Sequence, residues 1–315
     1  MTGNFSVYIV YPVSLNYSSK ISNPFTHSLA GFSLFPSKMI FKKRRVEGKL
    51  EMTLVNYDKP SRDGALNMDC GAFYLPKDNP QKPQGEDAHF IWPEKKTIGV
   101  ADGVGGWAKK GVDAGEYARQ LMHNAVISIQ QQPNGGVEPI KVLEEAFLST
   151  KEKGSSTACI LTLNKCGYLH AVNVGDSGFM IFRNKKFLYK SPVQQHNFNC
   201  PYQLGNNKNN DRPSSASEAK VAVIPGDIIV LGTDGLLDNM WAEEIEDAIK
   251  KGTLEGVNPE QLAWTIAELA LYNSMDKYFI SPFAKAAALE GEKHRGGKID
   301  DITVVVGHIL PSVLV

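Results

Sequence analysis

From about residue 51 onward, apolar and polar positions along this chain fall into short blocks. Runs rich in Val, Ile, Thr and aromatic residues predict strands at 97–101, 156–163, 167–174, 178–183, 186–190, 228–233 and 301–309. Three connectors, "NKCG" at 164–167, "GDSG" at 175–178 and "NKK" at 184–186, are too short for a parallel crossover and predict antiparallel hairpins. A different period appears over 113–132, where Tyr117, Leu121, Ala125 and Ile129 recur four apart on one helical face. Similar patterns predict helices at 138–149 and 242–251. A further helix over 259–272 carries Asn258 as its cap, Pro259 at the first position and Gln261 three beyond the cap. Antiparallel groups separated by helices predict an α+β fold rather than a doubly wound parallel sheet. The polar stretch "GNNKNNDRPSSASEA" at 205–219 reads as an exposed loop. No internal repeat and no heptad pattern is visible.

The first fifty residues differ from the rest. Residues 1–46 hold eight Ser and no Asp or Glu, and end in "FKKRR". The apolar cluster "FSVYIVYPVSL" is interrupted by Pro12 and Ser14, and is shorter than the roughly 20 residues a bilayer span needs. The first basic residue is Lys20, too late for a secretory signal. A serine-rich, acid-free leader with a basic end reads as an organelle transit peptide, for chloroplast before mitochondrion. The competing reading is a disordered leader without an address, which leaves the protein cytoplasmic. The expected organisation is a leader at 1–50 and a single domain at 51–315.

Charge and cysteine content narrow the classes. The chain has 34 basic and 34 acidic residues, of which seven basic and one acidic fall in the first fifty. The remainder holds 27 basic and 33 acidic residues, a net of −6. An acidic body does not favour a nucleic acid as partner. It suits a protein that gathers carboxylates around cations. Cys70, Cys159, Cys166 and Cys200 show no C-x-x-C spacing, so neither a zinc site nor a secreted disulfide framework is expected.

Four apolar runs meet aspartate. Asp102-Gly103 ends "TIGVA", Asp234-Gly235 ends "IIVLGT", Asp176 follows "AVNVG", and Asp300-Asp301 precedes "ITVVV". A fifth pair, Glu86-Asp87 in "GEDAHF", leads into an apolar segment. Each alone reads as a solvated turn, and Asp176 alone could close a hairpin. Together they predict several strands ending at one rim with their carboxylates side by side. Such a cluster repels itself unless cations neutralise it. Oxygen donors without His or Cys favour Mg²⁺ or Mn²⁺ over zinc. Glycine after the aspartate leaves room for a backbone carbonyl to approach an ion.

In order and spacing, "GEDAHF", "VADGVGGW", "GSSTACILTL", "VNVGDSGFM", "GDIIVLGTDGLLDNM" and "KIDDITVVV" resemble the metal-dependent PPM (type 2C) Ser/Thr protein phosphatases over residues 68–310. "DGVGGW", "SPVQQHNFN" and "SPFAKAA" look like the organellar, particularly plant, branch. The resemblance implies a sandwich of two antiparallel sheets flanked by helices, with a dinuclear Mg²⁺ or Mn²⁺ centre. It implies that Asp102 bridges two ions, with Glu86 and the Gly103 carbonyl on one and Asp234 and Asp300 on the other. It places Asp176 and Asp238 at a weaker third metal site or its water shell, and Asp87 in support of the ligands. Asp301 stands where many relatives have Asn. It further implies in-line hydrolysis of phosphoserine or phosphothreonine by a hydroxide held between ions about 3.5–4 Å apart. Asp102 and Asp234 are its catalytic candidates.

Two positions depart from the family pattern. Lys82 stands where many relatives carry a phosphate-gripping Arg, and lysine can pair with phosphate only as a point charge. Lys82 also fits a solvated loop lysine. Val104 stands where many relatives carry a His, which leaves the general acid to a metal-bound water or to His89, itself equally readable as structural. Trp107 and the Gly105-Gly106 pair are expected to shape the cleft wall. His123, His170, His196, His294 and His308 read as core or surface. The expected activity is phosphoprotein hydrolysis by a monomer without a membrane span. The alternatives are a pseudophosphatase scaffold that binds a phosphoprotein without turnover, and a phosphoesterase acting on a small metabolite.

Overall fold

The alternation seen in the sequence builds two sheets that face each other. The computed structural model describes residues 53–55, 65–133 and 136–312, all within one compact unit. The leader at 1–50 lies outside the described residues. In chain order the main strands are β1 (Thr53–Val55), β2 (Leu66–Leu75), β3 (Asp87–Trp92), β4 (Thr97–Asp102), β5 (Ala158–Leu163) and β6 (Tyr168–Val174). They continue with β7 (Gly178–Arg183), β8 (Lys186–Lys190), β9 (Ser217–Ala222), β10 (Ile228–Gly232) and β11 (Ile302–Pro311). The helices are α1 (Ala114–Gln131), α2 (Pro139–Ser149), α3 (Asp234–Leu237), α4 (Ala242–Glu255), α5 (Pro259–Met275) and α6 (Pro282–Leu289).

The first sheet runs β1-β9-β6-β5-β4-β3 and the second β2-β11-β10-β7-β8. Neighbours are antiparallel throughout except for β1, which lies parallel to β9. Helices α1 and α2 cover the outer face of the first sheet, and α4 and α5 that of the second. The predicted helical face of Tyr117, Leu121, Ala125 and Ile129 is fully buried against Phe90, Ile160 and Val172. The cap of α5 forms as expected, with Asn258 Oδ1 accepting from Gln261 N at 2.8 Å and Gln261 Oε1 from Asn258 N at 3.0 Å. Among the described residues no helix is long and apolar enough to cross a membrane.

The "NKCG" connector joins β5 to β6 as antiparallel neighbours, and Asn184-Lys185 joins β7 to β8 with both φ angles positive, the turn that matches strand twist. "GDSG" behaves differently and corrects the hairpin expectation. β6 belongs to the first sheet and β7 to the second, so Gly175–Ser177 carries the chain across the sandwich. Gly175 (φ 102°) sits where a Cβ would lie 2.6 Å from the Tyr202 carbonyl. The 205–219 loop is also shorter than expected. Leu204–Gly205 pairs with Ser155–Ser156, and residues from Ser217 onward belong to β9.

Strand parity decides what lies between the sheets. Ile91, Ile98, Val100, Cys159, Leu161, Leu169, Phe179, Ile181, Ile229, Leu231 and Val305 form the inter-sheet core. Alternate residues such as Phe90, Ile160, Met180, Val230 and Val304 face the helices instead. Following the inward series toward one end of the sandwich changes its chemistry. Ile91 gives way to His89 and Asp87, Val100 to Asp102, Leu231 to Thr233, and Val305 to Thr303 and Asp301, because side chains two apart share a face.

Candidate metal centre

The polar end of the inward series is tied together across the sandwich. Asp87, at the start of β3, accepts hydrogen bonds at Oδ2 from Thr233 Oγ1 and Thr303 Oγ1, both at 2.8 Å. Thr303 N donates in turn to Thr233 Oγ1 at 3.2 Å. Asp301 accepts from Lys77 N at 2.8 Å and Glu86 N at 2.9 Å, fixing the loop before β3 to the start of β11. Asp102 N receives Thr157 Oγ1 at 3.0 Å as its acceptor, and that hydroxyl is 2.6 Å from Ser177 Oγ. Asp87 and Asp301 thus tie the strand ends and the loop before β3 together through hydrogen bonds.

Glycines allow the close approaches. Gly103 N donates to the Glu86 carbonyl at 3.0 Å, and a Cβ on Gly103 would lie 2.6 Å from that carbonyl oxygen and 2.7 Å from the Ala114 oxygen. Gly235, in the first turn of α3, would place a Cβ 1.9 Å from the Asp301 carbonyl. The backbone of both Asp-Gly pairs is thus drawn in by neighbours that no larger residue permits.

Glu86, Asp102, Asp176, Asp234, Asp238 and Asp300 surround one region. Asp102 is half-buried, and its carboxyl is pushed well above the usual range by burial and by Asp234, Asp87, Asp300 and Asp176. Burial, together with Asp234 and Asp238, pushes Asp176 up to about 7. Asp238 rises to about 6, chiefly through burial, with Lys298 opposing. Asp300 goes the other way. Burial alone would raise it, but Lys298 and Lys77 outweigh burial and hold it below the ordinary carboxylate value.

Lysines supply the counter-charge. Lys77 Nζ lies 2.9 Å from Asp300 Oδ1, 3.3 Å from Glu86 Oε2 and 3.4 Å from Asp301 Oδ2. Lys82 Nζ donates to Glu86 Oε1 at 2.6 Å, so Lys82 is drawn into the cluster rather than left as a loop residue in solvent. Lys298 Nζ donates to Asp234 Oδ2 and, at 2.9 Å, to Asp238 Oδ2, and lies 3.5 Å from Asp300 Oδ2. Neither Lys77 nor Lys298 is anticipated by the sequence reading. Both lie in segments without regular structure, where no period in the sequence marks which side a lysine takes.

With side chains in these ion pairs, no group of three or more His, Cys, Asp or Glu among the described residues stands ready to hold an ion. The donor chemistry nonetheless fits a hard cation. Asp87, Asp176 and Asp234 are each buried with an Oδ1 that no donor reaches, and such orphaned acceptors are costly without a partner.

The remaining candidates fall outside the carboxylate cluster. His89 is buried between the sheets, edge-on to Tyr74, and burial lowers its pKa to about 4, so at physiological pH it lacks the imidazolium proton that a general acid would give. Val104 caps the short 3₁₀ helix Gly105–Lys110 and donates its N–H to the Ser155 carbonyl at 2.9 Å. Trp107 Nε1 donates to Ser155 Oγ at 2.7 Å, and its ring walls a cavity of about 260 Å³ with Gln203, Asn207 and Asn210.

A four-layer sandwich with an acidic centre at one end of its paired sheets defines the class. No family model matches the chain. It is 49% identical over 247 residues to "Probable protein phosphatase 2C 55" of Arabidopsis thaliana, covering 78% of this chain and 53% of that protein. It is 38% identical over 260 residues to "Putative protein phosphatase 2C 24" of Oryza sativa subsp. japonica, covering 80% of each. Among solved structures, that of the photosystem II phosphatase PBCP superposes with a TM-score of 0.71 at 32% identity, covering 76% of this chain and 98% of that one. The chain belongs to the protein phosphatase 2C (PPM) family. It spans about half the length of the Arabidopsis relative.

Proposed function

We propose that this chain is a metal-dependent protein phosphatase that hydrolyses phosphoserine and phosphothreonine. The observation that carries the reading is the convergence of Glu86, Asp102, Asp234 and Asp300, drawn from four segments, at one end of the sandwich in a member of this family. Asp102 and the Gly103 carbonyl, with Glu86, would hold one Mg²⁺ or Mn²⁺, and Asp102, Asp234 and Asp300 a second. Bound there, the two ions supply Lewis-acid charge to the phosphoryl oxygens and an activated water for in-line attack.

The chain's own residues do the rest. Asp102 and Asp234 are the catalytic carboxylates, held on strand ends by the Thr157 hydroxyl and by the tight Gly235 turn. Lys77 and Lys82 pair with Glu86 and its neighbours as long as those carboxylates are unneutralised. Once they are neutralised, both ammoniums are free to face a substrate dianion as point charges. Neither Val104 nor the buried, neutral His89 can protonate the leaving oxygen, so water supplies that proton. The plant relatives and the photosystem II phosphatase support a plastid phosphoprotein as the substrate class.

One observation favours a second reading, a scaffold that binds a phosphoprotein without turnover. Lys77, Lys82 and Lys298 already pair with Glu86, Asp234, Asp238, Asp300 and Asp301, so these carboxylates have cationic partners without an ion. Turnover of a phosphothreonine peptide and of p-nitrophenyl phosphate by the full chain separates the two. With Mn²⁺ or Mg²⁺ the expected result is release of phosphate that EDTA abolishes and Asp102→Asn lowers at least about 100-fold. Folded protein that releases nothing with either metal would leave the scaffold reading standing.

A further inference from the structure

We infer that Lys298 is a built-in cation at the place where the family resemblance implies a third metal ion, so that this chain holds two ions rather than three. The inference rests on the dinuclear reading above and refines it. Three carboxylates, Asp176, Asp234 and Asp238, form the corner of the site beyond the two proposed ions. Lys298 Nζ donates to Asp234 and Asp238 there and lies 3.5 Å from Asp300 Oδ2. Asp176 is held aside by Gln195 Nε2 at 3.1 Å, and its Oδ1 has no partner.

The lysine is anchored from several directions. Its N–H donates to Asn239 Oδ1 and its carbonyl accepts from Asn239 Nδ2, both at 2.8 Å. Its ammonium also sits 5.1 Å from the Phe283 ring centroid. Phe283 is itself fixed by its N–H to the Asp238 carbonyl at 3.1 Å. The same residues therefore position the ammonium and one of the carboxylates it neutralises. The other groups facing this corner are Lys77, across Asp300, and Lys190, close to Asp238 on β8. Among the described residues neither forms an ion pair with Asp234 or Asp238, whereas Lys298 pairs with both. A divalent ion placed between Asp234 and Asp238 would meet the ammonium as a like charge at contact distance. It could enter only by expelling a side chain whose backbone is pinned on both sides.

The test counts ions on the metal-stripped full chain titrated with Mn²⁺, by native mass spectrometry with calorimetry alongside. Wild type is expected to take two Mn²⁺ at saturation, Lys298→Arg two, and Lys298→Met three. Asp238→Asn reports independently of any folding defect in Lys298→Met, and is expected to leave the count at two. Three ions on wild type, two on folded Lys298→Met, or loss of an ion with Asp238→Asn would each overturn the inference while leaving the phosphatase reading intact. Fewer than two ions on wild type would remove the dinuclear reading itself, and the inference with it.

Discussion

His89 shows how burial alone settles the role of a titratable residue. It lies two residues from Asp87 on the inward face of β3, near enough to the acids to invite a catalytic assignment. Its Nε2 has no partner, and burial lowers the ring from its ordinary 6.5 to about 4. The folded state therefore binds the imidazole proton more weakly than the unfolded state does. Its contribution to stability is fully present above about pH 6.5 and is lost as pH falls toward 4, amounting to about 3 kcal/mol in all. Asp176 and Asp238, whose values are raised, act in the opposite sense, so the comparison must be between variants. His89→Phe is expected to lose less stability than wild type between pH 7 and pH 4.5, measured by urea unfolding of the metal-free protein. Parallel pH profiles would show that the ring finds a proton acceptor in the fold. Single residues were unequally legible. The acids announce themselves by sitting at the ends of apolar runs. Lys77 and Lys298 sit in irregular loops, where a lysine ordinarily points to solvent, and only the folded chain brings each against three carboxylates.

Elements meet at this site through backbone, which makes their junctions intolerant. The start of α3 and the segment leading into β11 approach so closely that a methyl group on Gly235 would overlap the Asp301 carbonyl. The obstacle is main chain, which cannot rotate away as a side chain can. Gly235→Ala is expected to cost about 1–3 kcal/mol by overpacking, read as a lower urea midpoint with an unchanged slope. It is also expected to weaken Mn²⁺ binding, because Asp234 and Asp301 flank the forced gap. Unchanged stability and affinity would mean that the α3 turn is free to shift. At this scale the sequence was informative where its period was clean. The four-residue period of α1, the cap of α5 and the apolar runs of β5, β7 and β10 all stand in the fold. β3 was not recognised because "DAHFIW" opens on Asp, Ala and His and carries no run of β-branched residues, unlike the equally buried β5 and β10. "GDSG" misled because a connector's length limits how far the chain can travel without saying which sheet receives it.

The molecule as a whole places its electrostatic burden at the end where its two sheets come together. Asp87 and Asp102 belong to the first sheet, while Asp234, Asp300 and Asp301 stand at the edge of the second. Like charge there works against closure of the sandwich, and in the absence of divalent ions Lys77, Lys82 and Lys298 are what oppose it. Ions binding only to the folded state should therefore act as a bridge between sheets as well as a reagent. At a free concentration about 100 times the dissociation constant, one such ion adds about 2.7 kcal/mol to stability. For a domain of this size that corresponds to a rise in melting temperature of about 5–10 °C. Thermal unfolding of the full chain with Mn²⁺ and with EDTA should differ by that amount. Asp102→Asn should shrink the difference, because Asp102 feels carboxylates from both sheets. The same variant in EDTA should melt no lower than wild type, since it removes a buried charge that four neighbours repel. If Mn²⁺ leaves the melting temperature unmoved while the protein stays folded, the carboxylates are already satisfied by their lysines. The two sheets would then owe their closure to the apolar layer and the Asp87–Thr233–Thr303 network alone.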